Sequence, residues 1–135
     1  MFKDLEEVGD YFKKDRFATD ATGCVIEEAK KHYAKCSMAI TTNHLNANDT
    51  VMGGAIYTLA DFSFAVAANM GEAKAVSSSC SISFLGVAKG TMLYATTECI
   101  KEGRSTCCYQ TRVEDELGNL VACVLSNGFI LTKSS

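Results

Sequence analysis

Between Asp49 and Glu72 the chain carries one charged side chain, Asp61. It sits in the run MGGAIYTLADFSFAVAANMG, among Ile56, Leu59, Ala60, Phe62, Phe64 and Val66. A helix over this run is apolar on nearly every side, and such a helix is buried. A carboxylate placed there must find partners, take up a proton or meet a ligand, because an unpaired buried charge is costly. Desolvation raises its pKa toward the range useful for a general base. Two blander readings stand beside this one. Asp61 could cap a helix that begins only at Phe62, or satisfy a buried hydrogen-bond network without chemistry. A membrane span is disfavoured by the central Asp, the many Ala and Gly residues and the absence of basic flanks.

Gly53-Gly54 opens the same run. Two glycines at a helix start allow close backbone approach. Their N–H groups lie at the positive end of the helix dipole, where a developing oxyanion would be stabilised. Gly53 and Asp61 are eight residues apart, roughly 12 Å along a helix at about 1.5 Å per residue. One carbonyl cannot meet both groups of one chain. If they act together, the Asp comes from a second subunit's antiparallel helix, which predicts a dimer with composite sites at a two-fold interface.

The rest of the chain must position these groups. Its 135 residues, 47% of them apolar, suit one domain with one core, residues 1–135, with 1–20 as an N-terminal helical extension. The absence of proline leaves Gly, Asn and Asp to mark the breaks. Residues 1–12 read as a short helix with Phe2, Leu5, Val8 and Phe12 on one side. Strands are predicted over residues 23–29 and 32–41, with Lys30-Lys31 as the turn, and an Asn- and Thr-rich loop follows over 42–50. After the long helix, residues 76–84 alternate: Val76, Ser78, Cys80, Ile82 and Phe84 on one face, Ser77, Ser79, Ser81 and Ser83 on the other. Strands at 91–101, 105–114 and 120–132, joined by short polar turns, complete an antiparallel meander. The fold class is α+β with one dominant helix.

Composition narrows the function. A formal charge of −3 and a pI near 5.3 argue against a nucleic-acid or anionic-membrane binder. Seven cysteines are scattered without a C-x-x-C pair, and only His32 and His44 could join them at a metal. They read as small hydrophobes in a reducing compartment. The charged, amphipathic N-terminus is no secretory signal, so a cytoplasmic protein is expected.

LNANDTVMGGAIYTLADFSFAVAAN, with the later SSCSISFLGVAKG and KEGRST, resembles the hotdog-fold acyl-CoA thioesterases of the phenylacetic-acid-degradation (PaaI-like) family. The similarity runs from about Gly23 to Leu131. It implies a long central helix wrapped by an antiparallel sheet of about six strands, paired into homodimers and commonly into tetramers. It implies hydrolysis of acyl-CoA to a carboxylic acid and free CoA, with no cofactor beyond the CoA of the substrate. By the resemblance, Gly53 donates its N–H to the thioester carbonyl, and Asp61 of the partner subunit is general base or nucleophile. Asn46 positions the water or thioester, and Ser77 stands near the water. Simpler roles for these two are a loop turn and a solvent-side serine. Met52, beside Gly54, replaces the family's His and can neither donate a hydrogen bond nor shuttle a proton. Arg104, Ser105 and Thr106 would meet CoA, with Lys101 and Lys89 as weaker candidates. Competing functions are a non-catalytic acyl-CoA binder or sensor, and a hotdog dehydratase, for which neither histidine is well placed.

Overall fold

The structure, a computed structural model, describes residues 2–71 and 73–131. The expected helix start at Met1 and strand end at Thr132 fall outside them. The first helix, α1, is Leu5–Phe12. Asp4 caps it by accepting from the Glu7 N–H at 2.9 Å. Val8 and Phe12 are buried, and the Phe12 ring meets Phe62 edge-on at 5.9 Å. A π-helical turn, Phe17–Ala21, follows; nothing in the local pattern signals it.

Strands β1 (Cys24–Lys30) and β2 (Tyr33–Ala39) form the first hairpin. Its turn falls at Lys31-His32, one residue later than expected, with His32 at φ 67°. A 3-10 turn, Thr42–His44, precedes the long helix α2, Gly53–Ala68. Then come β3 (Ala75–Phe84), β4 (Met92–Glu102), β5 (Thr106–Asp115) and β6 (Leu120–Ile130).

All six strands join one antiparallel sheet in the order β1-β2-β4-β5-β6-β3. The meander holds for β4–β5–β6. It fails for β3, which lies at the far edge beside β6, so residues 85–91 must cross to reach β4. Hydropathy could not reveal this, because an edge strand and a meander strand alternate alike.

α2 packs on one face of the sheet. Ala34, Cys36, Met38, Leu93, Ala95 and Tyr109 are among the fully buried sheet residues there. One polar chain crosses this core. Thr97 donates to the Ser63 hydroxyl at 2.8 Å and lies 2.7 Å from the Thr111 hydroxyl, while Ser63 donates to the Ala95 carbonyl at 3.2 Å. A single ordering of protons, Thr111 to Thr97 to Ser63 to Ala95, satisfies every member.

The alternation expected along β3 is broken once. Ser77 pairs with Gly128 and Ser79 with Asn127, so Ser78 is an extra residue in a β-bulge. A Cβ on Gly128 would touch Phe64 of α2 at 3.3 Å, so Gly128 and its partner Ser77 face the helix side. Val76, paired with Phe129, is turned outward and is 46% exposed. The assignment of Val76 to the face of Cys80 and Ile82, and of Ser77 to the opposite face, is corrected accordingly.

Candidate functional site

The start of α2 is built from the preceding loop. The Met52 N–H donates to the His44 carbonyl at 2.8 Å, and the Met52 carbonyl accepts from Ala55 and Ile56 at 3.0 and 3.2 Å. Among the described residues, the Gly53 and Gly54 N–H groups donate to no protein acceptor. They are the free donors that a helix start leaves. The Phe84 ring lies over Gly53, where an added Cβ would stand 3.0 Å from Phe84 Cζ. A side chain at this position would press on the Phe84 ring and require it to shift. Thr50, Val51, Gly53, Ile56, Phe84 and residues 86–88 enclose a cleft of ≈ 250 Å³.

His44 is the keystone beneath this helix start. It is 7% exposed; Nδ1 accepts from the Thr41 N–H at 3.0 Å, and Nε2 lies 2.7 Å from the Thr22 carbonyl. Both bonds together require the neutral imidazole with its proton on Nε2. The sequence presents this residue only as an acid or a ligand, and its structural role comes from tertiary contacts.

The crossing segment that carries the Gly53 cleft wall is clamped from the β5–β6 turn. Asp115 is 3% exposed and accepts from the Lys89 and Gly90 N–H groups at 2.8 and 3.2 Å. It also accepts from Leu117 N, Asn119 N and Asn119 Nδ2. Burial pushes its carboxyl up, but these bonds outweigh burial and hold it well below the usual carboxylate range. Glu116 accepts from Thr91 and Met92, and a Cβ on Gly90 would overlap its carboxylate. Neither acid stands out in the sequence, where each looks like an ordinary turn charge.

Asp61 lies in the middle of α2, which overturns its reading as an N-cap. Among the described residues no donor reaches its carboxylate within hydrogen-bond distance, so a satisfied buried network is not its role in this chain. Burial pushes its pKa up, and the Asp15 charge adds to the shift. Asp61 opens into a cleft of ≈ 350 Å³ with Asp15, Arg16, Phe17, Ala18, Tyr57 and Thr58 among its walls. The turn that brings in Asp15 to Ala18 is a tertiary feature that sequence reasoning misses. Tyr57 links this region to β3: the Cys80 thiol beside its hydroxyl raises its pKa, with burial and the Asp61 charge adding.

Gly54, Tyr57, Thr58, Asp61 and Ala65 form a stripe along α2 that the sheet leaves wholly or partly uncovered. Gly53 and Asp61 therefore occupy two separate clefts beside one stripe of one helix.

The remaining candidates lie apart from both clefts. The Asn46 carbonyl oxygen turns back into its own loop, accepting from Asn48 N at 2.9 Å and from Thr50 N and Oγ1 at 3.2 Å each. Only its amide nitrogen is left to face a ligand. Met52 is 56% exposed. Arg104, Ser105 and Thr106 are exposed at the β4–β5 turn, where the Ser105 carbonyl accepts from Ile130 N at 2.9 Å. Thr106 pairs with Phe129, and Phe129 with Val76, so this turn and Ser77 share one end of the sheet. Among the described residues no helix is long and apolar enough to cross a membrane, and no three His, Cys, Asp or Glu side chains could hold a metal ion.

Residues 48–122, which include the helix start, Asp61 and the bulged strand, match the family profile described as thioesterase superfamily. The chain belongs to the thioesterase superfamily. The acyl-coenzyme A thioesterase PaaI of Escherichia coli K12 is 34% identical over 104 residues, 76% of this chain and 74% of that protein. The structure of the E. coli PaaI protein superposes with a TM-score of 0.83 at 24% identity, covering 97% of this chain and 99% of that one. A mutant of the phenylacetic acid degradation protein PaaI from Thermus thermophilus is 29% identical with a TM-score of 0.77, covering 84% and 97%. A hypothetical thioesterase protein of Streptococcus pneumoniae, solved with coenzyme A, gives 0.83 at 21% identity, covering 92% and 99%. Together with the helix against a six-stranded antiparallel sheet, these matches make the protein a PaaI-like hotdog thioesterase, and hence a hydrolase.

Proposed function

We propose that the protein hydrolyses acyl-CoA thioesters at sites shared between two subunits of a homodimer, itself paired into a dimer of dimers. The observation that carries this reading is the stripe of α2 with free Gly53 and Gly54 N–H groups at its start and an unpartnered carboxylate, Asp61, in its middle. An antiparallel copy of the helix brings Asp61 of the partner subunit to Gly53. The Gly53 N–H then polarises the thioester carbonyl, with Met52 and Gly54 beside it. Asp61 takes a proton from water, whose oxygen bonds to the carbonyl carbon. The oxyanion forms against the helix start and collapses, breaking the C–S bond and expelling CoA thiolate. The raised pKa of Asp61 supports the base role. With methionine at 52 the thiolate leaves without an acid from that position, which CoA tolerates as a good leaving group.

The Asn46 amide and the Ser77 hydroxyl orient the water or the thioester. Arg104, Ser105 and Thr106 give an acidic chain a local cationic turn for the CoA phosphates. The CoA of the substrate is the sole organic group this chemistry needs. Residues 1–135 act as one hotdog domain, and the free cysteines fit a reducing, cytoplasmic setting.

Asp61→Asn tests this. The expected result is a loss of hydrolysis of about 10²-fold or more across a panel of aryl-, short- and long-chain acyl-CoAs, with the oligomer unchanged. Unchanged turnover overturns the mechanism. A wild-type chain that retains intact acyl-CoA in mass spectrometry would favour a binder or sensor instead, the reading that Met52 motivates.

A further inference from the structure

The π-helical turn Phe17–Ala21 holds its first side chain out of the core. The Thr22 N–H donates to the Phe17 carbonyl at 2.9 Å, the i to i+5 closure of a π turn. Thr19 pins the entry, donating through its N–H and its hydroxyl to the Asp15 carbonyl at 2.9 and 3.0 Å. His44 pins the exit at the Thr22 carbonyl. Ala18 is buried, and Phe17 beside it is left 70% exposed. A single apolar side chain in water is ordinary. This one stands on the wall of the cleft into which Asp61 opens, a cleft it shares with Phe62 and Ala65.

If Asp61 activates the water, the thioester carbonyl carbon lies one water away from this cleft. Two groups branch from that carbon, the acyl chain and the sulfur of CoA. In the cleft, Asp15 and Asp61 set two carboxylates against the one guanidinium of Arg16. That balance disfavours the CoA phosphates, and the walls given by Phe17, Ala18, Phe62 and Ala65 are apolar. The substituent that suits the cleft is the acyl group, and an uncharged one. At ≈ 350 Å³ the cleft has room for more than a two-carbon acyl group.

We propose that Phe17 is a specificity-determining residue of the thioesterase: its ring covers the acyl group of bulky, uncharged acyl-CoA substrates in the cleft beside Asp61. This rests on the reading of Asp61 as the base. The pinned backbone fixes the position from which the ring starts, so only its side-chain torsions are ordered when the acyl group arrives. An acetyl group ends close to the carbonyl and gains little from the ring. A hexanoyl or phenylacetyl group extends beneath it and buries apolar surface there.

The test compares wild type with Phe17→Ala on acetyl-, hexanoyl- and phenylacetyl-CoA. The ratio of kcat/KM for each bulky substrate to that for acetyl-CoA should fall about tenfold or more. The ratio is independent of how much of each preparation is folded. A ratio that does not fall, because the substitution slows all three alike or none, overturns the proposal.

The same preference is read without turnover by calorimetry with two thioethers that cannot be hydrolysed, phenacyl-CoA and acetonyl-CoA. Wild type should bind phenacyl-CoA the more tightly, and Phe17→Ala should lose about tenfold of that preference. A wild-type chain that shows the preference but hydrolyses nothing overturns the reading of Asp61 as the base and leaves Phe17 as the acyl contact of a binder. An unchanged preference in Phe17→Ala, or a wild-type chain that binds neither thioether, overturns the proposal itself.

Discussion

Asp61 is the residue whose environment most constrains the chemistry. Burial and then Asp15 favour its neutral form, so its folded pKa lies above the ordinary value of 3.8. The acid limb of kcat/KM should therefore fall above that value. Asp15→Asn removes the like charge and should shift the limb to lower pH, with Arg16 and Tyr57 left in place. A limb that does not move would show that Asp15 is screened. The stability sign follows from the same shift. Ionising Asp61 is harder in the folded chain than in the unfolded one, so the folded state gains as pH falls through the raised pKa. Asp61→Asn should consequently raise Tm at neutral pH while it removes activity. Asp61 is legible in the sequence because it is a single charge in an apolar run. Asp15 is not, because only the π-helical turn after α1 brings it there. Ser77 falls on the wrong face when β3 is read alone, because a bulge is a property of two strands and one strand's sequence cannot announce it.

At the scale of elements, strand and helix identities are readable because period and turn residues agree along most of the chain. The long helix, both hairpin strands and the last three strands stand within a residue or two of their expected bounds. Sheet order is less accessible, since the route of β3 to the far edge depends on where residues 85–91 can be anchored. Asp115 and Glu116 supply that anchor from the opposite turn. The core under α2 depends on another polar device, the hydroxyl chain through Thr97. Thr97→Val should cost about 1–3 kcal/mol, because the Thr111 hydroxyl loses its acceptor in a fully buried site. Urea unfolding with an unchanged m-value measures it. A cost near zero would show that the chain closes around the gap.

At the scale of the whole molecule, the proposed sharing of sites has a numerical consequence. Gly53→Val, whose added atoms meet Phe84, lesions the donor side, and Asp61→Asn lesions the base side. Each homodimer is then inactive. Refolded as an equimolar mixture, half the dimers hold both chains, and each of these has one intact site. About one quarter of wild-type turnover should return. No recovery would place both groups of a site on the same chain. The eight-residue spacing leads the sequence to expect this proposed arrangement, whereas the packing of the N-terminal segment beneath the helix start is hidden there. His44 joins the two regions: its Nε2–H points to Thr22, at the end of the N-terminal segment, and its carbonyl holds Met52, at the head of α2. A ring proton so enclosed exchanges slowly with water, so it should give a resolved low-field NMR resonance in an otherwise crowded spectrum. That one signal would serve as a built-in gauge of whether the amino-terminal segment and the head of α2 stay docked together through each turnover.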